Sequence, residues 1–128
     1  MDSVQIARIV VGLSWIYHGI FPKLVHVAPL ELAMTGSIGF SDEMSYLITK
    51  VAGVSETLFG LIFIAFYRVK SVVYLNIFGL VMLLLFVVFN MPSLLIEAFN
   101  PVTTNIPIIA LSFVILNEIN NKESAHEM

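Results

Sequence analysis

Two ionisable residues lie inside apolar stretches of the sequence, and their types suggest proton chemistry or hydrogen bonding to a ligand. Glu56 is preceded by the five uncharged residues 51–55 and followed by the eleven uncharged residues 57–67. A carboxylate at the centre of a membrane helix costs about 2.5 to 3.5 kcal/mol, so we expect Glu56 to face protein or a cavity. His18 lies within the first apolar stretch of the chain.

The depths of His18 and Glu56 predict that the two side chains meet. Counted from Arg8 at about 1.5 Å per residue, His18 lies about 15 Å along its helix, and Glu56 lies about 18 Å from Arg68. Helices that follow each other in the chain are usually neighbours. A glutamate and an imidazole at a dry site can share one proton. We therefore predict a hydrogen-bonded pair of His18 and Glu56, with interhelical hydrogen bonding alone as the alternative role.

Lys23 lies where the first apolar stretch ends, one residue after Pro22. A lysine at the end of a membrane helix usually extends to the interface, and this is the role we expect for Lys23. The alternative is that Lys23 caps the carbonyl groups freed before Pro22, or binds a polar ligand head beside Glu31.

Two more residues complete the candidate ligand-binding site. Thr57 follows Glu56 on a stripe of small and polar residues, of the kind that lets another helix approach closely. Trp15 is either a core residue or the wall of a cavity. The predicted ligand-binding residues are Trp15, His18, Lys23, Glu56 and Thr57.

No catalytic motif accompanies these residues. The sequence has no phosphate-binding glycine loop, no nucleophile with an ordered base, no dinucleotide fingerprint and no second carboxylate in the membrane to pair with Glu56. His26 and His126 lie in a loop and a tail, which argues against a metal site and against His18 as a haem ligand. Cysteine is absent, which excludes thiolate metal sites and iron–sulfur clusters. We expect that the chain is not an enzyme by itself.

The composition is that of an integral membrane protein surrounded by a lipid bilayer. Hydrophobic residues make up 59% of the 128 residues, and charged residues make up only 12%, against about 25% in a typical soluble domain. Residues 71–96 and 98–117 carry no charge, and each stretch can cross a hydrocarbon layer of about 30 Å. The net charge of −3 is too small and too scattered to indicate a nucleic-acid partner.

Apolar periodicity predicts an all-α, four-helix membrane bundle in a single domain, residues 1–128. The predicted spans are about 4–24, 46–67, 71–90 and 105–119, with outer loops 25–45 and 91–104. The link between the second and third spans is only residues 68–70, which predicts a tight antiparallel hairpin. The first loop can hold a short surface helix, and the second can form an interfacial turn.

Positive charges predict the orientation of the four spans. Four spans place both termini on the side of the 68–70 link, where four of the six basic residues lie: Arg8, Arg68, Lys70 and Lys122. The positive-inside rule then predicts cytoplasmic N- and C-termini. No small-residue cleavage site follows the first apolar run, so we expect a retained first span and a multi-pass protein of the cell inner (plasma) membrane.

The stretch WIYHGIFPKL at 15–24, followed by PLE at 29–31 and GVSETLFG at 53–60, resembles the DoxX-like family of small four-span membrane proteins. The likeness extends from about Arg8 to Asn117. The matching positions are Trp15, His18, Gly19, Pro22, Lys23, Glu31, Gly53, Glu56 and Gly60. The resemblance implies the fold more than the function, because the family supplies no settled catalytic residues. The wider family takes its name from a membrane subunit of a thiosulfate:quinone oxidoreductase, and some relatives are associated with membrane-bound redox or detoxification complexes.

These observations lead to three functional hypotheses. We expect a non-enzymatic membrane subunit that binds a small apolar or quinone-like molecule, docks a membrane redox partner, or does both. Such a subunit could belong to a quinone-linked oxidoreductase, with a quinone as the candidate cofactor and a homo-oligomer as a candidate assembly. The alternatives are a component of a proton-coupled transporter or channel, and a structural partner that packs against another membrane protein.

Overall fold

The computed structural model describes residues 1–127, and these residues form helices without any strand. Backbone groups inside a bilayer have no water to bond, so apolar segments satisfy them within helices. The elements are α1 (Ser3–Gly19), continued by a π-helical turn (Ile20–Val25), α2 (Pro29–Gly36), α3 (Asp42–Phe66), α4 (Lys70–Asn90), a 3-10 turn (Pro92–Ile96) and α5 (Pro101–Glu127).

Four of these helical segments are long and apolar enough to cross a membrane, which confirms the predicted all-α, four-span fold. They are Ser3–Val25, Asp42–Phe66, Lys70–Asn90 and Pro101–Glu127. One end of the bundle, here called the terminal face, carries the chain termini and the link between α3 and α4. The opposite end, the loop face, carries residues 26–41 and 91–100.

The last helix begins at Pro101, four residues before the predicted start of the fourth span at residue 105. The Oδ1 atom of Asn100 accepts hydrogen bonds from the backbone N–H groups of Val102 and Thr103 at 3.0 and 3.1 Å. An asparagine cap followed by proline at the first helical position is a strong start signal. Pro107 therefore lies inside α5.

The membrane helices pack in the order α3, α1, α5, α4. α3 packs against α1, α1 against α5, and α5 against α4, whereas α3 and α4 have little contact with each other. The prediction of a tight hairpin between the second and third spans is therefore wrong. A short link brings only the joined ends of two helices together, and α3 instead packs along the glycine-containing face of α1.

The apolar core lies in the half of the bundle next to the terminal face. Ala7, Val11, Phe63, Val73 and Ile115 are all fully buried there. They come from all four membrane helices, so the four helices share one core in this half.

Along one stripe of α1, the burial of the side chains decreases toward the loop face. Ala7, Val11, Ser14 and His18 lie at heptad-like spacing on one stripe of the helix. The first two are fully buried, Ser14 is half-buried and His18 is exposed. α1 remains in contact with α3 over this length. This stripe of α1, which faces away from α3, is therefore less covered near the loop face.

Candidate functional site

Pro22 changes the geometry of the first membrane helix. Its missing N–H group leaves the carbonyl of His18, four residues earlier, without its helical partner. The helix continues as a π-helical turn, in which the N–H of His26 donates to the carbonyl of Phe21 at 3.1 Å. The carbonyl of Leu24 accepts a hydrogen bond from the ammonium group of Lys50 at 2.6 Å. Lysines thus satisfy carbonyl groups that the distorted helix leaves free.

Lys23 is buried, with only 7% of its surface exposed. Helical side chains lean toward the N-terminus of their helix, and Lys23 Nζ lies 3.4 Å from the carbonyl oxygen of His18. Nζ also lies 3.0 Å from Glu31 Oε1 and 3.1 Å from Glu56 Oε2. The expectation that Lys23 extends to the interface is therefore wrong, and the alternative of capping beside Glu31 describes its position.

Glu56 pairs with Lys23 and not with His18. Its Oε2 atom is buried and lies 3.1 Å from Lys23 Nζ, so this contact is an ion pair. Among the described residues there is no hydrogen bond between His18 and Glu56. The predicted His18–Glu56 pair is therefore replaced by an ion pair from the same two helices.

His18 is exposed, and its imidazole binds within its own helix. Nδ1 lies 2.9 Å from the carbonyl oxygen of Ser14. A carbonyl only accepts, so Nδ1 carries the hydrogen in this contact. Nε2 has no hydrogen-bond partner in the described part of the chain. His18 thus presents one free ring nitrogen at the surface of the bundle, close to the loop face.

Glycine pairs explain why α1 and α3 approach closely enough for Lys23 and Glu56 to meet. A Cβ atom on Gly53 would lie 2.8 Å from the carbonyl oxygen of Gly19. A Cβ atom on Gly60 would lie 2.7 Å from the carbonyl oxygen of Gly12. Both distances are too short for a side chain, so the two backbones touch at two levels seven residues apart. The predicted close-packing stripe of the second span is confirmed.

Thr57 takes part in this same helix contact. Its hydroxyl group donates to the carbonyl of Gly53 at 2.8 Å. A Cβ atom on Gly19 would lie only 2.4 Å from the Thr57 hydroxyl oxygen. Thr57 therefore fills the space between α1 and α3.

Trp15 belongs to a separate polar chain that connects three helices. Its indole N–H donates to Asn76 Oδ1 at 2.7 Å, and the Asn76 amide donates to the hydroxyl of Ser112. Ser112 in turn donates to the carbonyl of Ile108 at 2.7 Å. Asn76 and Ser112 are fully buried. Asn76 therefore joins α1, α4 and α5 by hydrogen bonds between helices.

The five predicted ligand-binding residues do not form one pocket. Lys23, Glu56 and Thr57 lie between α1 and α3, whereas Trp15 contacts α4 and His18 is exposed. Glu31, which was outside the predicted set, completes the charged cluster with Lys23 and Glu56. The sequence signal for Glu31 is its position two residues after Pro29, in the first turn of the loop helix α2.

Two concave regions lie outside these clusters. A cavity of about 260 Å³ at the terminal face is lined by residues that include Gln5, Tyr67, Arg68, Glu118 and Lys122. An open apolar groove runs along α4 and is lined by Gly79, Met82, Leu83, Leu85, Phe86 and Phe89. The ring of Trp15 lies 3.7 Å from the position of a Cβ atom on Gly79. The groove therefore begins beside the Trp15–Asn76 hydrogen bond.

At the terminal face, a second group of polar contacts surrounds Tyr67 and connects α1 to the end of α3. Burial acts to raise the pKa of the Tyr67 phenol, but hydrogen bonds from Gln5 and Arg68 and the positive charges of Arg68 and Arg8 lower that pKa overall. Arg8 also donates to the carbonyl of Ile64 at 2.7 Å. These contacts join the start of α1 to the end of α3.

Comparison with known proteins identifies a family. The model of the DoxX-like family matches residues 12–113, which include the charged cluster, Trp15, His18 and Asn76. No curated protein matches the chain, and no solved structure matches it either.

Proposed function

The chain belongs to the DoxX-like family of proteins, and on that premise we propose that it is a non-enzymatic membrane subunit that binds a small apolar or quinone-like molecule. The observation that carries this proposal is the exposure of His18 next to the loop face, on the stripe of α1 whose earlier residues Ala7 and Val11 are fully buried.

The apolar groove of α4 supplies the walls that such a ligand needs. Its six lining residues are apolar or glycine, and a site for a small molecule needs mostly apolar walls with a few polar groups. Trp15 borders the groove at Gly79. The indole N–H of Trp15 already donates to Asn76, so the ring offers a flat apolar surface and keeps a fixed orientation.

His18 is the polar contact in this proposal. Because Nδ1 donates to Ser14, the neutral ring has Nε2 left as an acceptor. An acceptor suits a hydroxyl group, such as that of a quinol, and the protonated ring would donate to a quinone carbonyl. Lys23, Glu56 and Thr57 are engaged in contacts between helices. We therefore assign ligand contact to Trp15 and His18 within the predicted set.

Trp15 allows a direct test, because it is the only tryptophan of the chain. We expect a short-chain ubiquinone to quench Trp15 fluorescence saturably in protein reconstituted into lipid nanodiscs. Gly79→Leu would fill the groove beside the indole and should weaken the apparent affinity by about tenfold, which corresponds to about 1.4 kcal/mol. Phe78→Leu is the matched control, since Phe78 is a neighbouring α4 residue that is 62% exposed and does not line the groove. Linear, unsaturated quenching that is equal in all three proteins would refute the proposal.

The partner and the membrane are part of the same proposal. A subunit without catalytic groups of its own would deliver the ligand to a membrane redox protein. We place this assembly in the cell inner membrane with both termini in the cytoplasm, as the positive-inside rule favours. Purification in a mild detergent, followed by mass spectrometry of proteins and of extracted small molecules, tests this role. A stoichiometric redox protein with a retained quinone is expected, and a preparation with neither would contradict the role.

A further inference from the structure

The cluster of Lys23, Glu31 and Glu56 contains one basic and two acidic side chains in a confined space. A single ammonium group lies within 3.1 Å of both carboxylates. The side chains of Lys23, Glu31 and Glu56 are only 9%, 22% and 17% exposed. With all three groups ionised, the cluster carries a net charge of −1. A net charge away from water is costly, so the cluster needs one more positive charge.

Among residues 1–127, no other charged side chain forms an ion pair with the cluster. His18, on α1, is bonded to the carbonyl of Ser14 and is exposed. His26, after the π-helical turn, is exposed as well. Lys50, the nearest basic residue on α3 in sequence, donates to the carbonyl of Leu24. Glu31 is the only charged residue of α2, and residues 71–96 and 98–117 contribute no charge from α4 or from the span of α5.

Glu56 also has an atom at which a proton can be held. Its Oε2 is buried and accepts no hydrogen bond in the described part of the chain. This oxygen has only the charge of Lys23 at 3.1 Å to offset its own, and protonation of either Glu56 or Glu31 would leave the ammonium group with a single anionic partner. Lys23 meanwhile directs hydrogen bonds to the carbonyl of His18 and to Glu31.

We propose that Lys23, Glu31 and Glu56 together bind one exchangeable proton, which is shared between the two carboxylates around the ammonium group. The proton comes from water and brings the cluster to zero net charge. A metal cation is not expected to supply the missing positive charge, because the ammonium group of Lys23 already lies between the carboxylates and repels a second cation. Within residues 1–127 there is also no group of three metal-binding side chains.

This site is separate from the ligand groove, since none of its three residues lines that groove. The proton site can therefore exist whether or not the chain binds a quinone. Proton binding is a requirement of the proton-coupled transport hypothesis, but the site by itself implies no transport.

Infrared spectroscopy of the protein in nanodiscs tests the proposal. We expect the C=O stretching band of one protonated carboxyl group near neutral pH, and a shift of this band in D2O. Either Glu31→Gln or Glu56→Gln leaves one carboxylate beside Lys23 and a neutral cluster, so each substitution should abolish the band. Glu123→Gln is the matched control, because Glu123 pairs with Lys70 at the surface, and it should leave the band unchanged.

Two results would overturn the proposal. One is the absence of a protonated carboxyl band from the wild-type protein near neutral pH. The other is a band that survives either Glu31→Gln or Glu56→Gln, since a proton held by one residue alone is not shared. If a variant does not fold, the same infrared spectrum is measured on wild-type protein labelled with ¹³C-glutamate. The band must then shift with the label, and an unshifted band would assign the proton to another residue type.

Discussion

The ammonium group of Lys23, just beyond α1, lies 3.1 Å from the carboxylate of Glu56, which lies inside α3. Lys23 follows the proline that distorts the first membrane helix, and its side chain extends back along that helix into the bundle. The same ammonium group reaches Glu31 on the loop helix α2. One lysine thus joins α1, α2 and α3.

Removal of the Lys23 charge should destabilise the protein strongly. Lys23→Met would leave Glu31 and Glu56 without their cation, and loss of one partner from a buried ion pair costs about 3 kcal/mol or more. Thermal unfolding in detergent would show a clear decrease in Tm. Lys122→Met is the control, because Lys122 pairs with Glu118 on the surface and its side chain is 61% exposed. Equal Tm values for both variants would argue that the cluster contributes nothing to stability.

The glycine contact between α1 and α3 should not accept a methyl group. In Gly53→Ala, the added Cβ would lie 2.8 Å from both the carbonyl oxygen of Gly19 and the Cβ of Lys23. Overpacking of this kind costs about 1 to 3 kcal/mol, and it would also shift the helix that carries Glu56. The free energy of unfolding in a denaturing detergent measures the effect.

Gly36→Ala is the control for that substitution. Gly36 ends α2 with no atom within 4 Å of its added Cβ and without a positive φ angle. Its stability should stay equal to the wild type or rise by a few tenths of a kcal/mol, because alanine reduces the freedom of the unfolded chain. If Gly53→Ala were as stable as Gly36→Ala, the two helices would have to be farther apart.

The Asn76 hydrogen bonds should contribute modestly to stability and clearly to the environment of Trp15. Asn76→Leu removes the acceptor of the indole N–H and the donor to Ser112. Side-chain hydrogen bonds between membrane helices are worth about 0.6 kcal/mol on average, so we expect a loss of about 1 kcal/mol for the two. The fluorescence maximum of Trp15 should also move.

Asn90→Leu provides the comparison for Asn76. Asn90 is exposed at the end of α4 and donates only to the carbonyl of Phe86. This variant should keep the wild-type fluorescence spectrum and nearly the wild-type stability. A spectrum unaffected by Asn76→Leu would contradict the proposed link between the Trp15 ring and α4.

The orientation in the membrane can be measured by cysteine labelling, because the chain contains no native cysteine. Ser37→Cys and Ala98→Cys place single thiols at the loop face, and Ala125→Cys places one near the C-terminus. With cytoplasmic termini, a membrane-impermeant maleimide added to intact cells should label the first two and spare the third until the cells are broken. The reverse pattern would refute the predicted orientation.

Several features could be predicted from particular residues. The uncharged runs determine the number of spans, and Gly53, Glu56 and Gly60 on one stripe indicate that this face contacts another helix. The glycines of α1 and α3 are matched in an antiparallel sense, since Gly12 faces Gly60 and Gly19 faces Gly53. The same spacing of seven residues on both helices is visible in the sequence, and it could have predicted this contact.

The partner of Glu56 was not predictable from depth alone. Counting residues from Arg8 assigns His18 to the level of Glu56, but it ignores the direction and length of each side chain. His18 lies on the stripe of α1 that also carries Ala7 and Val11, whereas the side chain of Lys23 extends back until its Nζ is 3.4 Å from the His18 carbonyl oxygen and 3.1 Å from Glu56. The π-helical turn at Pro22 also changes the number of residues per turn, so positions after it no longer follow the α-helical repeat used for the count.

The sequence by itself determined that this chain crosses a membrane four times as helices and belongs among DoxX-like proteins, because length, hydropathy and motif are local properties. Only the tertiary structure decided which helices touch. Close contact of backbones at Gly19 and Gly53 favours the α1/α3 pair over the hairpin of α3 and α4. The packing of α3 against α1 brings Lys23, Glu31 and Glu56 together. An ion pair needs atoms about 3 Å apart. Such a distance depends on how the helices pack and not on their order in the chain.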